Sequence, residues 1–250
     1  MARQPDLVDA GLPNTIVSRA FQFKAKSGER RLMRLLKDNG LTIALMALFA
    51  FCILGQWISG WYVELEDARR HAQPELTLFA YAVSPQFQSS VFENWESEFL
   101  QMAAYVLLTA FLVQRGSAES KDPDAPPRDN DFDQQAHEDG APSILRKGSP
   151  WRALYARSLG LTLILLFVAS FAMHWINSAH ASAQEALEHG ETPKTVLAYL
   201  GDAQLWFESF QNWQSEFLST AVLVVLSIFL RQPGSPESKP VAAPNSQTGD

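Results

Sequence analysis

The chain has 250 residues, of which 47% are hydrophobic and 19% charged, with a mean hydropathy of -0.08 and a formal net charge of -7. That average would suit a soluble protein, but the apolar residues are gathered into four runs nearly free of charge, the segregation that a bilayer demands. The acidic balance and the lack of any nucleic-acid motif exclude a general nucleic-acid binder, and the single Cys52 excludes an intramolecular disulfide or a thiolate metal cluster.

Residues 1–39 carry no cleavable signal pattern. Arg19, Lys24, Lys26, Arg30, Arg31, Arg34 and Lys37 crowd the approach to the first apolar run, so 1–40 reads as a basic cytoplasmic segment. Leu41 to Val63 is 23 residues without a charge; at about 1.5 Å per residue it is roughly 34 Å long and can cross a hydrocarbon core of about 30 Å. Trp57, Trp61 and Tyr62 mark its far end, where amphipathic rings favour the headgroups. Helical composition continues from Glu64 to Gln73 as an external extension, until Pro74 stops it.

Leu76 to Phe92 is a mixed aromatic and polar connector. Asn94-Trp95-Glu96-Ser97-Glu98-Phe99-Leu100 then reads as the start of a second span, with Asn94 as N-cap and Glu96 and Glu98 beside the positive end of the helix dipole. Its apolar part, Phe99 to Val113, is only 15 residues, which holds Glu98 near the membrane edge. A first two-span repeat thus occupies 41–121. The acidic, proline-rich stretch 122–150 is expected to be a disordered cytoplasmic linker.

A second two-span repeat occupies 151–239. Its first span is Ser158 to Ile176, its extension Ala179 to His189, and its last span Trp213 to Leu230 with Glu216 one turn inside; a disordered tail, 240–250, follows. The seven-residue box returns 118 positions later as Asn212-Trp213-Gln214-Ser215-Glu216-Phe217-Leu218, with six of seven residues kept. The exit Gln114-Arg115-Gly116-Ser117-Ala118-Glu119-Ser120-Lys121 returns as Gln232-Pro233-Gly234-Ser235-Pro236-Glu237-Ser238-Lys239 at the same interval. The chain therefore reads as a tandem duplication. Gly116 and Gly234 read as helix C-caps, or else as parts of a partner-docking motif.

Eight Lys and Arg residues precede Leu41 and seven lie between Arg115 and Arg157, against Arg69 and Arg70 in one outer loop and Lys194 in the other. The positive-inside rule then places both termini and the linker in the cytoplasm, with two hairpins running in the same direction. The fold class expected is an all-α membrane protein of four transmembrane helices, arranged as two parallel-repeat hairpins with external helical extensions.

The candidate site residues are Asn94, Trp95, Ser97 and Glu98 with Asn212, Trp213, Ser215 and Glu216. Glu98 and Glu216 are the carboxylates placed at membrane depth in both repeats, where a charge is costly and marks a functional candidate. Three readings stand for them: helix-end charges facing headgroups, packing hydrogen bonds with the neighbouring Asn and Ser, or an ion or proton site. His174 is the one histidine within a span, an interfacial residue paired with a neighbour; a second intramembrane histidine for haem is missing. No Walker loop, nucleophile elbow, zinc spacing or HExxH motif occurs, so neither an enzyme nor a cofactor is expected.

The two boxes and the exits, ending Lys239-Pro240, resemble an uncharacterised family of bacterial membrane proteins known only as a domain of unknown function. The resemblance implies a multi-pass bacterial inner-membrane protein and supplies no activity. The function expected is a non-catalytic structural or partner-binding membrane element, in contact with lipid and with a protein partner or further copies of itself. The alternative is a small ion or proton transport protein using Glu98 and Glu216. The first copy departs from the second at Glu96 for Gln214, so the two boxes need not do the same work.

Overall fold

The computed structural model describes residues 14–126, 132–147 and 149–249, and among these every regular element is helical. The chain divides into two units, residues 1–78 and 79–250.

The first unit is one long helix with a returning strap. Helix α1 (Asn14–Arg70) is interrupted at Asn39 (φ -132°, ψ 19°), whose side-chain amide donates to Leu35 O at 3.3 Å. Asparagine competes in this way for backbone partners and weakens a helix locally. Beyond the break, α1 contains the whole expected span and most of its extension. It ends as a Schellman turn: Ala72 takes φ 55° and Gln73 N–H donates to Ala68 O at 2.8 Å, just before Pro74. Trp57 Nε1–H donates to Leu78 O (2.9 Å) and Trp61 Nε1–H to Leu76 O (2.8 Å), so these rings tie the strap back along the helix. The expectation on residues 1–13 lies outside the described residues.

In the second unit, the short α2 (Leu78–Ala82) leads to Ser84 and Pro85. Ser84 Oγ accepts from Phe87 N–H and Pro85 occupies the first helical turn, so α3 (Pro85–Phe111) starts here. The sequence had suggested a start at Asn94. What looked like a connector is therefore helix, Asn94 lies well inside it, and Glu96 and Glu98 are nowhere near the positive end of the dipole. The same holds 118 residues on, where Asp202 caps α8 (Ala203–Phe229). Each of these helices has 27 residues, or about 40 Å, with its apolar residues concentrated in the C-terminal half.

Between them lie α4 (Phe132–Gln135), a 3₁₀ turn (Ser143–Arg146), α5 (Ser149–Ala156), α6 (Ser158–Glu188) and α7 (Val196–Tyr199). The described part of the linker is not featureless: Ala136 is buried, and its carbonyl accepts from Arg146 Nε at 3.1 Å. α6 ends as α1 does, with Gly190 at φ 72° and Glu191 N–H donating to Ala186 O at 2.7 Å. Trp175 Nε1–H reaches Val196 O at 2.8 Å, as Trp57 reaches Leu78.

α3 runs antiparallel to α6. Gln86 meets Gln184 and Ser89 meets Ser178 at one end, and Gly160 meets Leu107 at the other. Small residues permit this approach: a Cβ on Gly160 would stand 3.3 Å from Leu107 Cδ2. α8 lies alongside α3 in the same direction, with Gln101 Nε2 donating to Thr220 Oγ1 at 2.5 Å and the Ser117 and Ser227 hydroxyls 2.9 Å apart. Ala179, Tyr199 and Leu205 form a small apolar core where α6, α7 and α8 meet, walled by Trp175, Val196 and Leu200.

The exits differ from expectation. The helices are capped by Leu112 and Leu230, and Gly116 and Gly234 lie further on, at φ 85° and 81°, inside serine-braced turns. Gln114 N–H donates to Ser120 Oγ at 3.0 Å and, in the second copy, Gln232 N–H to Ser238 Oγ at 2.9 Å. The tail expected to be disordered is folded. Lys239 is 1% exposed, with Nζ donating to Gly116 O (2.5 Å), Asn245 O (3.0 Å) and Gln247 O (3.0 Å). Composition missed this because a proline- and serine-rich segment needs only one buried ammonium to gather its carbonyls.

Met33–Arg70 and Ser158–Glu188 are the two helices among the described residues long and apolar enough to cross a membrane. α3 and α8 fall short on apolarity, although not on length. Large apolar side chains nonetheless stand exposed on α3 (Leu108, Phe111), α6 (Leu159, Leu165, Val168) and α8 (Val222, Leu226, Phe229).

Candidate functional site

Glu96 is one of the fully buried polar residues of the second unit. Its place on α3 points it at α6 and α8 together, and both it and His174 are 0% exposed. A buried carboxylate is tolerated only where its lone pairs are met. Glu96 Oε1 accepts from Ser209 Oγ (2.8 Å) and Trp213 Nε1 (3.1 Å), and Oε2 lies 2.9 Å from His174 Nδ1. Three helices are thereby pinned at one carboxylate.

The opposite ring nitrogen, His174 Nε2, faces Glu208 Oε2 at 3.4 Å. Gln204 Nε2 donates to Glu208 Oε1 at 2.7 Å, one turn away on α8. Glu93, one turn before Glu96 on α3, is half-buried and accepts from Asn212 Nδ2 at 2.5 Å. Donor atoms of Glu93, His174 and Glu208 all lie within 4.8 Å of one another, a set able to hold a metal ion. Trp213, which reaches Glu96, is packed edge-to-face against Trp206, Phe210 and Phe167, linking the centre to an aromatic cluster between α6 and α8. The Glu208 side chain, 25% exposed, marks the open side of the centre.

The residues singled out from the sequence are divided by this geometry. Trp213 and Asn212 belong to the centre. Asn94 and Ser97 hydrogen-bond their own helix, to Ser90 O (2.7 Å) and Asn94 O (2.8 Å), and Ser215 does likewise to Asn212 O (2.8 Å). Trp95 packs edge-on against Phe92 at 5.4 Å. Glu98 is exposed and Glu216 half-buried; the two act on one another electrostatically but neither enters the centre. His174 is paired, as expected, but deep in the packing. Glu208 was missed because it falls in the aromatic and polar stretch before the second box, and Glu93 because it lies just ahead of the first.

A comparison between the copies would have exposed the site. The residues 118 positions from Glu93, Glu96, His174 and Glu208 are Gln211, Gln214, Gln56 and Ser90, so every titratable member has a non-titratable counterpart. The centre is made where the two copies differ.

Three packed helices with outward apolar faces around a buried histidine–carboxylate centre define the class: a helical protein with an ionisable cluster buried between its helices. The chain belongs to the family described as a domain of unknown function, DUF6766, whose model matches residues 32–250. No curated protein and no solved structure matches it.

Proposed function

We propose that this is a multi-pass protein of the bacterial inner membrane, non-catalytic, that binds a cation at the Glu93–Glu96–His174–Glu208 centre. The observation that carries the reading is the Glu96–His174 pair, fully buried and held by Ser209 and Trp213. Ionisable groups inside a helical membrane protein are expensive, and each is by default a candidate for an ion or proton site. This reading keeps the transport-type alternative drawn from the sequence but moves it from Glu98 and Glu216 to the buried set.

Four spans are part of the proposal, as two hairpins running in the same direction. Support comes from the matched bounds of α3 and α8, from the matched ends of α1 and α6, and from apolar side chains exposed on all of them. His174 lies 16 residues beyond Ser158, about 24 Å along the helix, which places the centre toward the outer face if the basic segments are cytoplasmic. Lipid and further copies of the chain are its proposed neighbours.

The test is membrane fractionation with variants of the centre. The protein is expected in the carbonate-resistant membrane pellet, and His174→Gln is expected to alter cation-dependent thermal stability in detergent while Glu98→Gln does not. Recovery in the soluble fraction, or equal behaviour of the two variants, overturns the reading.

A further inference from the structure

The geometry points to a divalent transition-metal ion, of the manganese-to-zinc series, bound by His174 Nε2, Glu208 and Glu93; this rests on the reading of the centre as a cation site. The argument begins with what stands behind each ligand. A metal-ligating histidine almost always donates its other ring N–H to a carboxylate or carbonyl, which fixes tautomer and ring orientation. Here Nδ1 faces Glu96 Oε2 at 2.9 Å, leaving Nε2 on the side of Glu208 and Glu93. Glu96 is itself locked by Ser209 and Trp213. The two carboxylate ligands are held in turn, Glu208 by Gln204 and Glu93 by Asn212. All three ligands are thus oriented by a further hydrogen bond, an arrangement that a simple buried ion pair does not need.

Charge points the same way. The centre sets three acidic groups against one imidazole, and the charged groups acting on Glu93 are His174, Glu208 and Glu96, with no lysine or arginine among them. Low-dielectric surroundings make uncompensated negative charge costly, and a bound dication offsets more of it than one proton on the ring. Size fits as well. Metal–ligand bonds of about 2.0–2.2 Å ask for donors roughly 3–4 Å apart, and the present set already lies within 4.8 Å. One imidazole with two carboxylates is a borderline-hard set that suits manganese, iron, cobalt or zinc better than calcium or copper(I). The partly exposed Glu208 provides the entry side.

The experiment uses the full chain purified in detergent, stripped with a chelator, and titrated with Co²⁺ as a spectroscopic probe, then with Zn²⁺ in competition. Expected are one Co²⁺ per chain with visible ligand-field absorption, displacement by Zn²⁺, loss of binding in His174→Ala and in Glu93→Gln with Glu208→Gln, and unchanged binding in Glu98→Gln. Glu96→Gln, which touches no metal, is expected to weaken affinity by about 10–100-fold, as loss of an orienting partner does. Circular dichroism of each variant separates lost binding from lost folding. The proposal is overturned if the folded wild type takes up neither ion at millimolar concentration, or if the ligand variants bind as the wild type does. In the first case, a pH-dependent melting temperature that His174→Gln abolishes would leave the centre as a proton site; melting that responds to neither metal nor pH would remove the cation reading altogether.

Discussion

Glu96 shows how much a single side chain can ask of its neighbours. Its Oε1 takes one bond from Ser209 and one from Trp213, and losing either donor leaves part of a buried carboxylate unmet. Ser209→Ala and Trp213→Phe are each expected to cost roughly 1–3 kcal/mol, read as a lower melting temperature in detergent. Ser215→Ala, at an exposed hydroxyl that bonds only its own helix, is expected to change stability by less than about 0.5 kcal/mol. Gly116 and Gly234 give a second contrast. Both have positive φ, so alanine at either is strained by about 1 kcal/mol or more. At Gly116 the added Cβ would also stand 2.6 Å from the Asn245 carbonyl oxygen, whereas at Gly234 nothing lies within 4 Å. Gly116→Ala is therefore expected to melt well below Gly234→Ala, with the tail around Lys239 becoming sensitive to protease.

Among the helices, the start of α8 depends on Asp202. Its carboxylate accepts from Lys194 Nζ and from Gln204 N–H at 3.0 Å, and these bonds, Lys194's above all, hold its pKa below the usual aspartate value. A depressed folded-state pKa contributes stability that is present above the unfolded-state value of about 3.9 and is lost as pH falls through the lower folded value. Below about pH 4 the first turn of α8 is expected to loosen, measured by hydrogen exchange at Ala203 to Trp206, and Asp202→Asn is expected to remove that acid step. At neutral pH Asp202→Ala is expected to cost about 0.5–2 kcal/mol as a lost N-cap. The seam between α3 and α6 is exposed to size instead: Gly160→Leu drives a branched side chain into Leu107 and is expected to destabilise by about 1–3 kcal/mol, read by thermal melting.

For the whole molecule, the prediction is topological. Reporter fusions at residue 75 and at residue 135 are expected to lie on opposite sides of the membrane, with residue 135 cytoplasmic. Both on one side would leave α3 as no span, and the hairpin of α1 and α3 would be refuted. The apolar runs that become α1 and α6 were legible because a long charge-free stretch has few alternatives to a helix. The N-terminal halves of α3 and α8 were not, since their aromatic and polar residues show no clean period and their caps, Ser84 and Asp202, sit ten residues before the box that caught the eye.

Local chemistry written in the chain itself determined that the protein is helical, where its apolar helices lie, that its two halves share boxes and exits 118 residues apart, and that proline and glycine close the extensions. Only tertiary structure decided which carboxylates matter. Glu93, Glu96, His174 and Glu208 come from three helices, Glu96 and His174 being 78 positions apart and His174 and Glu208 34. Whether a charged side chain faces solvent or another helix is set by the rotation of each helix about its axis, and that rotation is fixed by packing at Ser89, Gly160 and Gln101 rather than by any motif around the charge itself.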